Sequence, residues 1–135
     1  MLELTVEAKI ENIPKVTEFV DKILEEYDCP IKEQTQIDVA LDEVLSNVAN
    51  YAYEKKDGSV SINVDVSDDP RQVTITFTDS GTPYDPLKKE DPDITLGADE
   101  RPIGGLGIFI VKKTMDDVIY EYKDGQNVLQ IKKNI

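Results

Sequence analysis

Leu41-Asp42-Glu43-Val44-Leu45-Ser46-Asn47 lies inside the longest helical pattern of the chain. From Ile37 onward, Ala40, Leu41, Val44, Leu45, Val48 and Ala52 recur at the spacing of one helix face. The pattern predicts a helix from about Lys32 to about Glu54. At roughly 100° per residue, Glu43 and Asn47 fall one turn apart on the flank of that stripe, neither in the core nor on the solvated back. A carboxylate and a carboxamide stacked beside a core face can line a pocket. The carboxylate can serve as a general base toward a hydroxyl or water. The carboxamide oxygen is a hard ligand suited to Mg2+, which keeps waters and completes its shell with substrate phosphates. Taken alone, the pair reads more simply as a solvated helix surface.

Upstream of this helix, Leu2, Leu4, Val6, Ala8 and Ile10 alternate with polar neighbours, as in a strand with one buried face. Asn12 is placed to cap a helix with Pro14 in its first turn. Val16, Phe19, Val20, Ile23 and Leu24 form that helix's apolar face, and Cys29-Pro30 follows its end near Tyr27. Downstream, Lys56-Asp57-Gly58 signals a turn. Val60, Ile62, Val64 and Val66 alternate as a strand, and Val73, Ile75 and Phe77 as its hairpin partner beyond Asp68-Asp69-Pro70. From Ser80 to Gly105 the periodicity disappears, and four of the seven prolines fall there. A loop of that length in a small domain is a functional lid or is disordered. Helical patterning resumes at Leu106. Strand-like Val118, Tyr120 and Tyr122 then lead through an Asp124-Gly125 turn to Val128, Leu129 and Ile131. This order predicts an α+β fold: a two-layer sandwich with helices on one face of a mixed, mostly antiparallel sheet, in a single domain over 1–135.

The chain has 135 residues, 39% of them hydrophobic and 32% charged, as suits a globular protein able to bury its own core. No apolar run reaches the roughly 20 residues of a membrane span, and the N-terminus carries no signal-peptide pattern. A single cysteine, Cys29, excludes an internal disulfide, and with no histidine it gives no support for a zinc cluster. The expected location is cytoplasmic. A formal charge of −13 argues against direct nucleic-acid or membrane binding and favours basic partner surfaces.

Two further constellations carry chemistry. Asp79-Ser80-Gly81-Thr82-Pro83 follows a strand directly. An aspartate there can accept a hydrogen bond from an amino group such as that of adenine, and Gly81 admits a flat ligand close to the backbone. Gly104-Gly105-Leu106-Gly107 opens a helix, where converging N–H groups attract phosphate. It is neither a Walker A loop nor a dinucleotide-binding fingerprint. By itself the first stretch reads more simply as an ordinary turn, and the second reads equally as a flexible hinge.

In order and spacing, the three constellations together resemble those of the GHKL, or Bergerat-fold, ATP-binding superfamily, and within it the bacterial anti-sigma-factor serine kinases. The N-box reads Glu43-Val44-Leu45-Ser46-Asn47, continuing into Asn50-Tyr51-Ala52-Tyr53, the first glycine box Asp79-Ser80-Gly81-Thr82-Pro83-Tyr84-Asp85-Pro86, and the second Gly104-Gly105-Leu106-Gly107-Ile108-Phe109-Ile110-Val111. The resemblance implies ATP and Mg2+ as cofactors. Asn47 would hold the ion, Glu43 would be the general base, Asp79 would bind the adenine amine and Gly81 would lie beside the ring. Gly104, Gly105, Leu106 and Gly107 would close on the phosphates beneath a lid over about 84–104. Arg101, from its charge and position rather than a motif, could reach a phosphate. The chain departs from the family pattern at Tyr51-Ala52-Tyr53, where many relatives have His-Ala-Tyr. It departs again near the closing strand, where Asn127 could stand in for a threonine that helps hold adenine. The implied function is a serine/threonine protein kinase and anti-sigma factor. It would phosphorylate a small anti-sigma-factor antagonist, sequester a sigma factor and act as a homodimer. The alternative is an ATP-binding module that grips a partner without phosphoryl transfer.

Overall fold

The structure is a computed structural model and describes residues 2–53, 57–68, 70–88 and 106–135. Five strands, β1 (Leu2–Glu7), β2 (Ser59–Ser67), β3 (Gln72–Asp79), β4 (Asp117–Lys123) and β5 (Gln126–Asn134), form one sheet in the order β1-β2-β3-β5-β4. Three helices, α1 (Ile13–Glu26), α2 (Ile31–Asn47) and α3 (Leu106–Thr114), lie in the second layer. The period-two alternation decides which face each strand buries. Val60, Ile62 and Val64 of β2 and Val73, Ile75 and Phe77 of β3 face the helices and are almost fully buried. Val16, Val20 and Leu24 of α1 and Ile37, Ala40 and Leu41 of α2 meet them with no exposed surface. Burial of a side chain such as Phe77 stabilises the fold by about 2–3 kcal/mol. The opposite sheet face is polar, with cross-strand hydrogen bonds between Thr5 and Ser61 (2.9 Å) and from Gln130 to Thr76 (3.2 Å).

The layers are as expected, but every strand pairing among the described residues is antiparallel, not mixed. A β3–α3–β4 crossover does run β4 parallel to β3. The tight Asp124-Gly125 turn then folds β5 back between them, so no parallel pair forms. β1 stops at Glu7, short of Ile10, because a 3-10 turn at Ile10–Asn12 precedes α1. Asn12 does not cap α1 through its side chain: its amide donates to Glu7 O at 2.9 Å, tying the strand end to the helix start. The helix predicted to reach Glu54 is α-helical only to Asn47, and a π-helical turn occupies Val48–Ala52.

Candidate nucleotide site

The site grows from the place where α2 changes into its π turn. Widening the helix by one residue re-aims its last carbonyls, and Ala52 O accepts the Thr82 N–H at 2.6 Å. That contact seats the Asp79–Pro83 turn on the helix. Gly81 is required there because a Cβ would overlap Ala52 O and lie 2.8 Å from the Ala52 Cβ. Tyr53, the next residue, clamps both flanking strands. Its hydroxyl donates to Ser59 O (2.7 Å) and accepts from Ser80 N (2.9 Å). Sequence reasoning reads Tyr51-Ala52-Tyr53 only as a departure from a pattern and misses this clamp. The only signal for it is an aromatic with a hydroxyl directly before a glycine-bearing turn. The Tyr53 ring also fills the space where Gly58 would otherwise carry a side chain.

Between α2 and the sheet lies a cleft, partly open to solvent. Its apolar walls come from Val44, Val48, Ala52, Phe77 and Leu129, and its polar groups are Asn47, Asp79, Tyr84, Tyr120 and Asn127. Few polar groups converging on an apolar cleft is the usual make-up of a small-molecule site. Asp79, only 6% exposed, accepts the Gly81 N–H and the Asn127 amide on one oxygen, Oδ1, both at 2.9 Å. Its Oδ2 has no partner among the described residues. The Asn47 carboxamide makes no hydrogen bond among the described residues either, and its Nδ2 is buried and unsatisfied. Orphaned buried amides cost about 1–3 kcal/mol and call for an explanation; a ligand that pairs with this one would supply it. Tyr51 stacks on Tyr84 with ring centroids 5.2 Å apart at the start of the expected lid.

Glu43 does not line this cavity. It sits one turn earlier on α2, with its carboxylate against Gly107 at the start of α3, where any Cβ would overlap it. Glycine at 107 is therefore what lets the carboxylate reach the α3 end. Burial, and secondarily the neighbouring Asp42 carboxylate, raise the Glu43 pKa above the ordinary glutamate value. The structure thus brings Asn47, Asp79 and Asn127 to one cavity, holds Gly81 beside it through the Asp79 carboxylate, and brings Glu43 and Gly107 to each other. Arg101, Gly104, Gly105 and most of the expected lid lie outside the described residues. Leu106 begins α3.

Asn127 lines the same cavity, with its side-chain polar atoms engaged by the protein. Its Nδ2 donates to Asp79 Oδ1 and to Thr82 O, each at 2.9 Å. Its Oδ1 accepts from Tyr84 N at 3.1 Å and from the Tyr120 hydroxyl. Two acceptors on one end and two donors on the other fix the amide's orientation and use its full capacity.

Among the described residues, no helix is long and apolar enough to cross a membrane. Residues 6–133 match the histidine kinase-like ATPase domain family. The serine-protein kinase RsbW of Listeria innocua is 30% identical over 99 residues, covering 70% of this chain and 62% of that protein. The serine/threonine-protein kinase BtrW of Bordetella bronchiseptica is 27% identical, covering 67% and 63%. The anti-sigma F factor of Clostridium acetobutylicum is 26% identical over 98% of this chain and 91% of its own length. The chain thus spans about 62% of the RsbW relative it matches. With a match over nearly its whole length, the chain belongs to the histidine kinase-like ATPase domain family.

Proposed function

We propose that the chain is an ATP-dependent serine/threonine protein kinase that also acts as an anti-sigma factor. The observation that carries this reading is the Glu43 carboxylate, half-buried, raised in pKa and held against Gly107 one turn from the Asn47 cavity. In this reading the cavity takes adenine, with Asp79 Oδ2 accepting its amine and Gly81 leaving the ring face clear. Asn47, on the cavity wall, would offer Mg2+ its amide oxygen, with the rest of the shell from phosphate and water, while its orphaned Nδ2 is a donor and would pair with a ligand acceptor instead. No cluster of three or more acidic or cysteine side chains among the described residues forms a cage of its own. The ion, when bound, would neutralise phosphate charge. Arg101 would add a positive charge, and Gly104, Gly105, Leu106 and Gly107 would bring backbone N–H groups to the phosphates. Glu43 accepts the proton of the attacking serine or threonine hydroxyl. Such catalysis is mostly positioning and charge stabilisation, so a short list of polar groups suffices.

The protein substrate in this reading is a small anti-sigma-factor antagonist, and the sequestered partner is a sigma factor. The working form is a cytoplasmic homodimer built from a single domain per chain. The names of RsbW, BtrW and the anti-sigma F factor support the kinase and anti-sigma halves. A second reading, an ATP-dependent grip on a partner without transfer, is favoured by the relative matched over most of both lengths, since it is named for its sigma factor. Incubation with labelled ATP and a candidate antagonist separates the two. Phosphoserine or phosphothreonine that disappears in Glu43→Gln while ATP binding persists is the expected result. Tight partner binding with no transfer by the unaltered protein would leave only the grip.

A further inference from the structure

Asn127 ties its own hairpin to one stretch that is distant in sequence, and does so through four contacts at the cavity. These reach the end of β3 through Asp79, the turn through Thr82, the lid root through Tyr84 and β4 through Tyr120. Every donor and acceptor of its side chain is engaged, and it is 5% exposed. It therefore has nothing left to offer a ligand. Its effect on one must pass through Asp79. The Asn127 amide and the Gly81 N–H both sit on Asp79 Oδ1. Together they hold that oxygen in place and leave Oδ2 without a partner among the described residues, on a side chain that lines the cavity.

We infer that Asn127 is a positioning residue for base selection. By donating to Asp79 Oδ1 it makes Oδ2 an acceptor that admits a 6-amino purine and repels a 6-oxo purine. The inference rests on the adenine reading of the cavity and adds the residue that sets its selectivity. A carboxylate left without that donor could rotate, or take up a proton and become a donor itself. Either change would let it meet the 6-oxo group of inosine or guanine. A site built to hydrogen-bond a group discriminates strongly against a ligand that lacks it, because its own polar atom is left unpaired.

Asn127→Asp is nearly isosteric and tests the point. The Tyr84 N–H and Tyr120 hydroxyl can still donate to the new side chain. Its other oxygen, however, faces Asp79 Oδ1 and Thr82 O, acceptor against acceptors. Protonation of the introduced carboxyl would restore one donor. ATP and ITP, each with Mg2+, are titrated by calorimetry into the unaltered protein, Asn127→Asp and Tyr120→Phe between pH 5.5 and 8, with circular dichroism as the check on folding. The unaltered protein should prefer ATP by about 100-fold or more at every pH. In Asn127→Asp the preference should fall to within about 10-fold at pH 8 and recover as the pH drops. Tyr120→Phe keeps both Asn127 donations, so its preference should hold even where both affinities fall together. A purely structural role would weaken ATP and ITP alike. An unchanged ratio in folded Asn127→Asp, or a ratio lost equally in Tyr120→Phe, overturns the inference. Failure of the unaltered protein to bind ATP overturns the adenine reading and the inference with it.

Discussion

Glu43 shows how one carboxylate is tuned by its surroundings. Desolvation against α3 is the larger cause of its raised pKa, and Asp42 beside it on α2 is the smaller. In the base role proposed for it Glu43 must be deprotonated to act, so transfer should rise with pH through a limb lying above the ordinary glutamate value of 4.5. Asp42→Asn removes only the smaller cause and should move that limb to lower pH without abolishing transfer. A limb that does not move would show that Asp42 is not felt at Glu43. Gly107→Ala intrudes on the space the carboxylate occupies. We expect it to cost about 100-fold or more in transfer, the usual worth of a positioned general base, with the fold intact by circular dichroism.

At the scale of elements, the α1 terminus carries a testable strain. Cys29 N bonds to Leu24 O at 3.0 Å and Asp28 N to Glu25 O at 3.1 Å, the paired bonds of a Schellman ending. Such an ending places its pivot in the left-handed region, and Asp28 sits there with φ 55°. Glycine adopts that geometry without steric cost, and the Asp28 charge opposes the negative end of the helix dipole. Asp28→Gly should therefore stabilise the protein by about 0.5–1 kcal/mol in urea denaturation. A lower midpoint would count against this account. The π turn at Val48–Ala52 makes the complementary point. Its residues continue the apolar stripe of α2, so periodicity alone reads them as ordinary helix. The shift of hydrogen-bond register that frees Ala52 O leaves no mark in the hydrophobic pattern.

Across the whole molecule, acidity reaches into the helix layer. Asp38 of α2 is pushed up to about 8, first by burial, then by Asp21 and by Glu25, both on α1. Asp21 Oδ1 and Asp38 Oδ1 are buried without a donor. Folded Asp38 thus binds its proton more tightly than unfolded Asp38. Between its ordinary value of 3.8 and about 8 the folded state holds more protons, so stability falls as pH rises through that window. Asp38→Asn should match the parent near pH 4 and exceed it at pH 8.5. Asp38 is half-buried, and screening by solvent on its open side limits the gain to about 1 kcal/mol, or roughly 4 °C in Tm. Equal melting differences at both pH values, read by calorimetry, would refute this. The same comparison of scales explains what was legible beforehand. Alternation in β2, β3 and β5 and the stripes of α1 and α2 declared the layers and the buried faces. Alternation says which face a residue takes but not which strand lies beside it, so the insertion of β5 between β3 and β4 was hidden. Asn47, Asp79 and Gly81 stood out through motif spacing. The Tyr53 clamp and the saturation of Asn127 arise from contacts between distant segments, which no local pattern encodes.

The rung Asp79↔Asn127 in the β3–β5 ladder has one more consequence. Apolar alternation excludes a slip of one residue but tolerates a slip of two. In one such slip Leu129 would lie opposite Ile75 and Ile131 opposite Val73, still inward and still apolar. What forbids it is the polar rung: Asn127 would then face Phe77 and Asp79 would face Gly125, both stripped of partners. The pair that shapes the cavity is thus also the alignment mark by which β5 finds its place. A greasy replacement of both residues could leave the sheet just as cohesive but no longer unambiguous in its pairing.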